Sequence, residues 1–354
     1  MTRPAPDAAD LARALAHYAE LAGGVASPLT GGLINSTFAV RSSAGEFVVQ
    51  RVNPIFAPEI HDNIAAVTEH LRGRGEASPR LLTTTSGARW ADLGAAGIWR
   101  AMTRVPGVSL EAVASPAQAR SAAALVGRFH STLVDLDHPF VVRRTLHDTP
   151  AHLRTLAQAV AEHREHRLFA EVEPIAAAVL AGATSLPPLA AAPLRVGHGD
   201  LKFNNILFDA TGPEGQAEAR CLIDLDSVAP MPLHHELGDA WRSWCNPAGE
   251  ERGAASFDAA IFAAALDGYL GALSFALEPV ERRNLVHGVE WIALELTARF
   301  AADALNERYF GWDPQRFPGA GEHHLHRAKG QWALHQACLA TRELRADLLL
   351  REAS

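Results

Sequence analysis

Apolar residues follow two different periods along the chain. In the first hundred residues, short apolar runs bounded by turn residues favour strands near 25–31, 35–41, 46–52, 79–85 and 97–103. Apolar positions at helical spacing predict a helix after Asp7 or Asp10 and another helix from about 58 to 73. This part is expected to be a small antiparallel sheet of five strands with one inserted helix.

The pattern becomes mainly helical beyond Pro106 and Gly107. A capping box at Ser115 and Gln118 opens the first helix of this part, and the spacing predicts further helices near 149–182, 254–275, 279–306 and 322–350. One β-hairpin, about 205–225, interrupts them. The expected fold class is α+β, with a small sheet lobe over 1–104 and a large, mainly helical lobe over 105–354.

Composition and charge narrow the classes of protein that fit. The chain has 354 residues, 32 of them basic and 40 acidic, and a net charge of −8, which disfavours sequence-independent binding of nucleic acid. Its three cysteines are widely spaced and form no CxxC motif, which argues against a disulfide framework or a structural zinc site. There is no hydrophobic signal core and no apolar run long enough to span a membrane. A cytoplasmic protein without nucleic-acid or membrane partners is therefore expected.

Candidate chemistry concentrates in the segment HGDLKFNN, from His198 to Asn205, and in the LIDLD segment that follows it. Taken singly, Asp and Asn residues in loops are usually turn formers. Here the hairpin would bring Asn205 beside Asp224, and an amide oxygen with a carboxylate suits Mg²⁺. A separate carboxylate, Asp200, could accept the proton of an attacking hydroxyl. This division of roles is what phosphoryl transfer requires.

These two segments resemble the catalytic and metal loops of the kinase-like phosphotransferases, the aminoglycoside phosphotransferase and choline kinase superfamily. The resemblance implies a two-lobed, protein-kinase-like fold with ATP and Mg²⁺ as cofactors. It implies Asp200 as the catalytic base and Asn205 and Asp224 as the magnesium ligands. His198 would stabilise the loop rather than take part in the chemistry.

The nucleotide would then lie against the small lobe. A turn at Gly31 and Gly32 could cradle the triphosphate with backbone N–H groups and small polar side chains, although two glycines between strands are usually only a turn. The third strand should supply a cation, for which Arg51 is the candidate, with Gln50 on the opposite face as the alternative. The carboxylate partner expected on the helix is not obvious. The remaining candidates are Asn35, Ser36 and Thr37 near the turn, Met102 and Arg104 at the adenine-contacting hinge, and Glu59, Asn63 and Glu69 on the helix.

The resemblance extends to the acceptor side of the site. Segments such as GLINSTF, FVVQRVN, ELGDAWR and RFAADALNERYF are similar to the N-acetylhexosamine 1-kinase branch, which implies the anomeric hydroxyl of an amino sugar as acceptor. The spacing between Arg299 and Tyr309 departs from that branch by about one residue. Acceptor contacts are predicted for Asp200, Arg299 and Tyr309, with Asp226, His234 and His235 as further candidates. Asp239 would brace the catalytic loop, and Arg242 would either pair with Asp239 or reach the substrate.

Two alternatives remain open from the sequence. The acceptor could instead be an aminoglycoside, a choline-like alcohol or homoserine, on the same fold. The chain could also be a non-catalytic pseudokinase that only binds nucleotide, but the presence of the candidate base and both metal ligands argues against this. The protein is expected to act on a small molecule, as a monomer or a homodimer.

Overall fold

The chain folds into a sheet-rich N-terminal part and a mainly helical remainder, and 52% of the residues that the structure describes are helical. The computed structural model describes residues 7–29, 34–142, 147–209, 217–249, 255–307 and 312–351. This two-part architecture, with an antiparallel sheet followed by a mainly helical remainder, is the α+β arrangement predicted from the sequence. No helix in these ranges is long and apolar enough to cross a membrane.

The N-terminal part is built on one antiparallel five-stranded sheet of order β1-β2-β3-β5-β4. Helix α1, Ala8–Leu15, precedes the sheet, and its N-terminus is capped by the Asp7 carboxylate, which accepts the Asp10 N–H at 2.7 Å. Helix α2, Ile60–Gly73, lies between β3 and β4 in the chain. The strands are β1 Val25–Leu29, β2 Ser36–Ser42, β3 Gly45–Arg51, β4 Ala91–Asp92 and β5 Ile98–Thr103.

The strand predicted near 79–85 is wrong, because the fourth strand of the sheet is the short Ala91–Asp92. Over 79–85, only Leu81 makes an isolated bridge, to Met102. The Thr84 N–H donates to the Ala88 carbonyl at 2.7 Å, and the Thr84 hydroxyl accepts the Ala88 N–H at 3.0 Å. Because this turn satisfies backbone groups locally, the segment cannot continue as a strand.

The pairing register decides which side chains share a face of the sheet. Thr37, Gln50 and Arg100 lie abreast across β2, β3 and β5. Arg51 is paired with Trp99 on the opposite face, where Trp99 is fully buried. Successive side chains of a strand alternate between faces, so Gln50 and Arg51 cannot serve the same site.

The remainder of the chain is organised around one long helix, α8, which packs against α4, α5, α6, α9 and α10. The helices are α3 Pro116–Thr132, α4 Thr149–Glu162, α5 Phe169–Ser185, α6 Leu233–Trp244, α7 Ala259–Ala272, α8 Pro279–Asn306, α9 Ala320–Ala340 and α10 Arg342–Leu350. The predicted cap of α3 is confirmed, since the Ser115 hydroxyl accepts the Gln118 N–H at 3.2 Å.

Two of the predicted helices are each split in the structure. The one predicted over 149–182 is interrupted at 163–168, where His166 Nδ1 accepts the Leu168 N–H at 3.2 Å. The one predicted over 322–350 breaks at Thr341, whose hydroxyl donates to the carbonyls of Ala337 and Cys338. In both places a side chain bonds to backbone groups that a continuous helix would use otherwise.

Short strands frame the segment that carries the candidate chemistry. Strands β7, Leu194–Gly197, and β10, Ala229–Pro232, pair with each other on either side of it along the chain. Strands β8, Ile206–Phe208, and β9, Ala219–Leu222, form the predicted hairpin, and β8 also pairs with β6, Val108–Ser109. The segments around 198–205 and 223–228 therefore emerge side by side from the ends of these strands.

Candidate active site

A buried carboxylate holds the loop that begins at His198. Glu236, on α6, accepts the N–H of His198 at 2.7 Å and that of Gly199 at 2.8 Å. Gly199 has a φ of 81°, which favours glycine at this point of the turn. Burial opposes ionisation of Glu236, but His130 and the Gly199 N–H outweigh it and hold the pKa of this carboxyl below its ordinary value. Glu236 therefore acts as an anionic acceptor of backbone hydrogen bonds.

His198 ties the loop to the end of the β8–β9 hairpin. Its ring is fully buried, and Nε2 lies 2.8 Å from the carbonyl oxygen of Ile223. Its Nδ1 lies 3.2 Å from the Asp200 backbone nitrogen and accepts that N–H. These two partners assign a neutral ring protonated on Nε2. The contacts are those of a residue that fixes the loop, as its predicted role requires.

Asp200, Asn205 and Asp224 come together at this point. The amide Nδ2 of Asn205 donates to the Asp200 carbonyl at 2.8 Å and lies 3.3 Å from Asp200 Oδ2. The Ile223 N–H donates to the Asn205 carbonyl at 2.9 Å, so Asp224 follows directly beside Asn205. Lys202 Nζ lies 3.1 Å from Asp200 Oδ1. The convergence of these residues is what the hairpin was expected to produce.

The oxygen atoms at this site fit a magnesium ion. Because Nδ2 of Asn205 bonds to Asp200, the carbonyl Oδ1 is the amide atom that can coordinate a cation. Burial raises the pKa of Asp224 to about 6, with Asp226 and Asp200 acting in the same direction and Arg100 opposing them. Carboxylates crowded in this way are relieved by a bound cation. In the described ranges no three His, Cys, Asp or Glu side chains group to hold a metal.

Asp226, one residue beyond Leu225, faces the sheet. It is paired with Arg100 of β5, and its Oδ2 accepts a hydrogen bond from Asn35 Nδ2 at 2.7 Å. Arg100 Nε also donates to Gln50 Oε1 at 2.8 Å, and Gln50 Nε2 donates to the Thr37 hydroxyl at 3.1 Å. Sequence reasoning missed Arg100. The signal was present as a charged residue inside the otherwise apolar strand Ile98–Thr103.

The other predicted nucleotide contacts are dispersed over the sheet. Gly31 and Gly32 lie outside the described residues, while Asn35 is buried and Ser36 and Thr37 begin β2. The other predicted contacts lie on β3 or at the end of β5: Arg51 is 7% exposed and faces away from the Gln50 side, Met102 is half-buried, and Arg104 lies 3.5 Å from Glu46. Roles for these residues stay predictions.

The helix residues proposed as carboxylate partners of Arg51 are either exposed or bonded to other groups. Glu59 and Glu69 are exposed at the surface of α2. Asn63 is buried, but its amide donates to the Val142 carbonyl at 2.8 Å and its Oδ1 lies 2.9 Å from His138 Nε2. Arg100, the cation of β5, is the one paired with the loop after Asp224, through Asp226.

On the acceptor side, Asp239 and Arg242 of α6 form an ion pair at 2.8 Å. Burial opposes ionisation of Asp239, but Arg242 and His147 outweigh it, and Lys202 adds to their effect, so the pKa of this carboxyl is lowered. Trp244, on the same helix, donates its indole N–H to the Leu201 carbonyl at 2.7 Å, so α6 lies against the 198–205 loop. Arg242 is thus paired with Asp239, which was one of its two predicted roles.

One face of α8 continues this polar region. Glu295, fully buried, accepts hydrogen bonds at 2.9 Å from His147 Nδ1 and at 2.6 Å from the Thr149 hydroxyl. Arg299 and Asp303 follow at intervals of four residues, and burial raises the pKa of Asp303 to about 7 against the opposing charge of Arg299. Tyr309 lies outside the described residues.

The histidines proposed as further acceptor contacts are neutral. Burial, followed by the neighbouring histidines, lowers the pKa of His234 to about 3, and burial and His147 lower that of His235 to about 4. His234 is buried and lies 3.3 Å from the Asn284 amide, whereas His235 is half-buried beside His147. Of the two, His235 is the one that adjoins the polar face of α8.

Comparison with known proteins gives a consistent result over most of the chain. Residues 25–275 match the phosphotransferase enzyme family. A solved structure of a microcompartment-associated aminopropanol kinase is 15% identical, with a TM-score of 0.63 over 96% of this chain and 99% of the other. An aminoglycoside phosphotransferase from Alicyclobacillus acidocaldarius is 17% identical, with a TM-score of 0.58 over 94% and 96% of the two chains. A choline/ethanolamine kinase family protein from Mesorhizobium loti is 20% identical, with a TM-score of 0.55 over 95% and 99%.

Proposed function

The chain belongs to the phosphotransferase enzyme family, and from this premise we propose that it is an ATP- and Mg²⁺-dependent kinase of a small hydroxylated molecule. The observation that carries the proposal is the convergence of Asp200, Asn205 and Asp224 on adjacent loops. Asn205 touches Asp200 through its amide and the Asp224 segment through its backbone. This arrangement provides a base next to a cation site, which is the combination that phosphoryl transfer needs.

Each of the three residues has a distinct role in this proposal. Asp200 accepts the proton of the acceptor hydroxyl and orients its oxygen toward the phosphorus. Asn205 and Asp224 hold the magnesium ion, which when bound offsets the charge of the triphosphate. Lys202, 3.1 Å from Asp200, adds positive charge where the phosphoryl group would pass.

The nucleotide is proposed to lie between the sheet and the helical part, with the boundary between the two lobes near residue 104. The polar face of the sheet that includes Thr37 and Gln50 adjoins the loop of Asp226, so the triphosphate would enter there. Gly31 and Gly32 would cover it, and the strand end at Met102 and Arg104 would meet the base. These assignments follow from the resemblance and the register of the strands.

For the acceptor we propose an N-acetylhexosamine-type sugar, phosphorylated on its anomeric hydroxyl. Two carboxylates beside the proposed acceptor contacts support a neutral acceptor, because Asp239 is paired with Arg242, and Glu295 with His147 and Thr149. A polycationic acceptor would instead favour several carboxylates without cation partners. Arg299 and Tyr309 are the proposed sugar contacts, on the resemblance alone.

A second candidate is an amino-alcohol kinase. It is favoured by the titles of the similar structures, which include aminopropanol kinase and choline/ethanolamine kinase. Asp303, whose carboxyl is half-buried on the same face of α8, is the acidic group that could meet an ammonium ion. Such a substrate would bind more strongly as the pH rises past the raised pKa of Asp303.

The test is a coupled ADP-release assay with Mg·ATP over GlcNAc, GalNAc, free hexoses, aminopropanol, ethanolamine, choline, homoserine and kanamycin. Turnover on an N-acetylated sugar supports the sugar assignment. Turnover on an amino alcohol or kanamycin keeps the kinase and rejects the sugar. No turnover, together with no binding of Mg·ADP by calorimetry, would reject the kinase itself.

A further inference from the structure

A buried ion pair joins the sheet to the loop of the proposed metal ligand. The side chains of Arg100 and Asp226 are 1% and 4% exposed. Asn35 at the start of β2 and Gln50 of β3 bond to the same pair, at 2.7 Å to Asp226 and 2.8 Å to Arg100. Arg100 and Asn35 thus bond to Asp226 directly, and Gln50 holds Arg100 from the neighbouring strand.

The two acids of helix α2 lie elsewhere, since Asp62 is paired with Arg89 and Glu69 is exposed. The α2 residue whose charge environment includes Arg100 and Asp226 is His61, which is fully buried and stacks on Trp90. Burial, followed by the charge of Arg100, lowers the pKa of His61 to about 4, so the ring is neutral near pH 7. In the described part of the chain His61 Nε2 has no hydrogen-bond partner. Asp226 is therefore the carboxylate that balances Arg100.

The backbone beside Asp226 is in an unusual conformation. Asp224 has φ 64° and ψ 59°, the left-handed region that non-glycine residues seldom adopt. Such a conformation persists only where the surroundings fix it on both sides. On one side, the Ile223 N–H bonds to the Asn205 carbonyl; on the other, Asp226 is held by Arg100 and Asn35.

We propose that Arg100 and Asp226 are a positioning pair that fixes the backbone on which Asp224 presents its carboxylate to the metal of the bound nucleotide. In this proposal Arg100 is the cation of the sheet, and it holds the loop of Asp224. It lies on β5, directly opposite Gln50 of β3 in the register. The inference rests on the proposed function and deepens it, because it names what sets the geometry of the metal ligand.

An arginine is needed for this role rather than any cation. Arg100 bonds to Asp226 through a terminal nitrogen and to Gln50 through Nε, so one planar group holds two partners in fixed directions. A lysine donates from one nitrogen atom without a fixed plane, so it cannot hold both partners in the same directions. Arg100→Lys should therefore keep the charge and lose the positioning.

The test compares Arg100→Met, Asp226→Asn, Arg100→Lys and the Arg100→Met/Asp226→Asn double variant. Thermal unfolding measures stability, and titration calorimetry measures ADP binding with and without Mg²⁺. Each single neutral variant leaves an uncompensated buried charge, so both should lower the melting temperature, and the double variant should recover most of the loss. The Arg100→Lys and double variants keep the test decisive if either single variant fails to fold.

Nucleotide binding separates positioning from structural support. The factor by which Mg²⁺ tightens ADP binding should fall about 10- to 100-fold in all four variants, including the stable double variant, as expected when the supports of a metal ligand are removed. Metal-free ADP affinity should change by less than about threefold, which is the size of effect expected of substitutions that do not touch the ligand. Arg342→Met is the matched control, since Arg342 pairs with buried Glu290 between α8 and α10 and should alter stability alone.

Two results would overturn the inference. If the double variant or Arg100→Lys keeps the full effect of Mg²⁺, the pair only supports the fold. If metal-free ADP affinity falls as much as Mg·ADP affinity, the pair shapes the nucleotide cleft rather than the metal loop. Absence of Mg·ADP binding by the unsubstituted protein would instead reject the proposed function, together with this inference.

Discussion

Replacing Glu236 with Gln tests how the catalytic loop is held. Glu236 accepts the N–H groups of His198 and Gly199 with its two oxygens, and its side chain is 1% exposed. A glutamine of the same shape has one oxygen, so its NH₂ group would face one of these N–H donors. Losing one charge-assisted hydrogen bond and leaving a buried donor unpaired costs about 2–4 kcal/mol. At about 2 °C per kcal/mol for a large chain, the melting temperature should fall by about 4–8 °C.

The same substitution should slow the chemical step. Gly199 immediately precedes Asp200, and a shift of the loop by a fraction of an ångström costs about tenfold to a hundredfold in kcat. KM for ATP should stay nearly constant, because the backbone N–H groups that Glu236 accepts belong to His198 and Gly199 and not to the sheet. The melting temperature comes from thermal unfolding. The values of kcat and KM come from the coupled assay with the acceptor found in the panel.

A matched control is Glu290→Gln, which removes the charge of an equally buried carboxylate that pairs with Arg342 and Arg345, away from the loop. It should lower the melting temperature and leave kcat unchanged. If Glu236→Gln lowers the melting temperature by the same amount as Glu290→Gln and keeps full kcat, then Glu236 stabilises the fold without positioning Asp200. The reasoning about the loop would then be refuted.

Further predictions concern pH and packing. His61 has its pKa lowered from 6.5 to about 4, so the unfolded chain binds more protons between these values, and stability is lost as the pH falls below 6.5. The slope of the free energy of unfolding against pH should therefore be up to about 1.4 kcal/mol per pH unit shallower in His61→Phe, and an unchanged slope would contradict this. A Cβ at Gly268 of α7 would overlap the Arg120 carbonyl of α3, so chemical denaturation of Gly268→Ala should show a loss of about 1–3 kcal/mol. A Cβ at Gly271, on the same helix, meets no atom of the described residues within 4 Å, so Gly271→Ala should gain up to about 1 kcal/mol; equal effects of the two substitutions would refute the packing argument.

The sequence predicts well where a local pattern decides the structure. Alternating strands such as Phe47–Val49, the cap at Ser115 and the β8–β9 hairpin are each encoded within a few residues. The convergence of Asn205 and Asp224 follows from that hairpin, because two antiparallel strands return to the same end. The core of the candidate site was therefore predictable.

The parts that were missed depend on partners distant in the sequence. Arg100 meets Asp226 across 126 positions, and no local pattern connects them. The segment 79–85 has strand-like composition, but it bridges β5 only at Leu81, and Thr85 donates its N–H to the His17 carbonyl instead. Tertiary contacts decided each of these outcomes over local propensity.

The central claim is that Asp200 is the base of a phosphoryl-transfer site whose metal ligands are separate from it. The most direct measurement is single-turnover transfer from Mg·ATP by the unsubstituted protein and by Asp200→Asn, with Mg·ADP affinity measured on both. The account predicts that Asp200→Asn binds Mg·ADP as tightly as the unsubstituted protein, within the error of calorimetry, and transfers the phosphoryl group about 10²–10⁴-fold more slowly. Transfer by Asp200→Asn at a rate within a few-fold of the unsubstituted protein would contradict it.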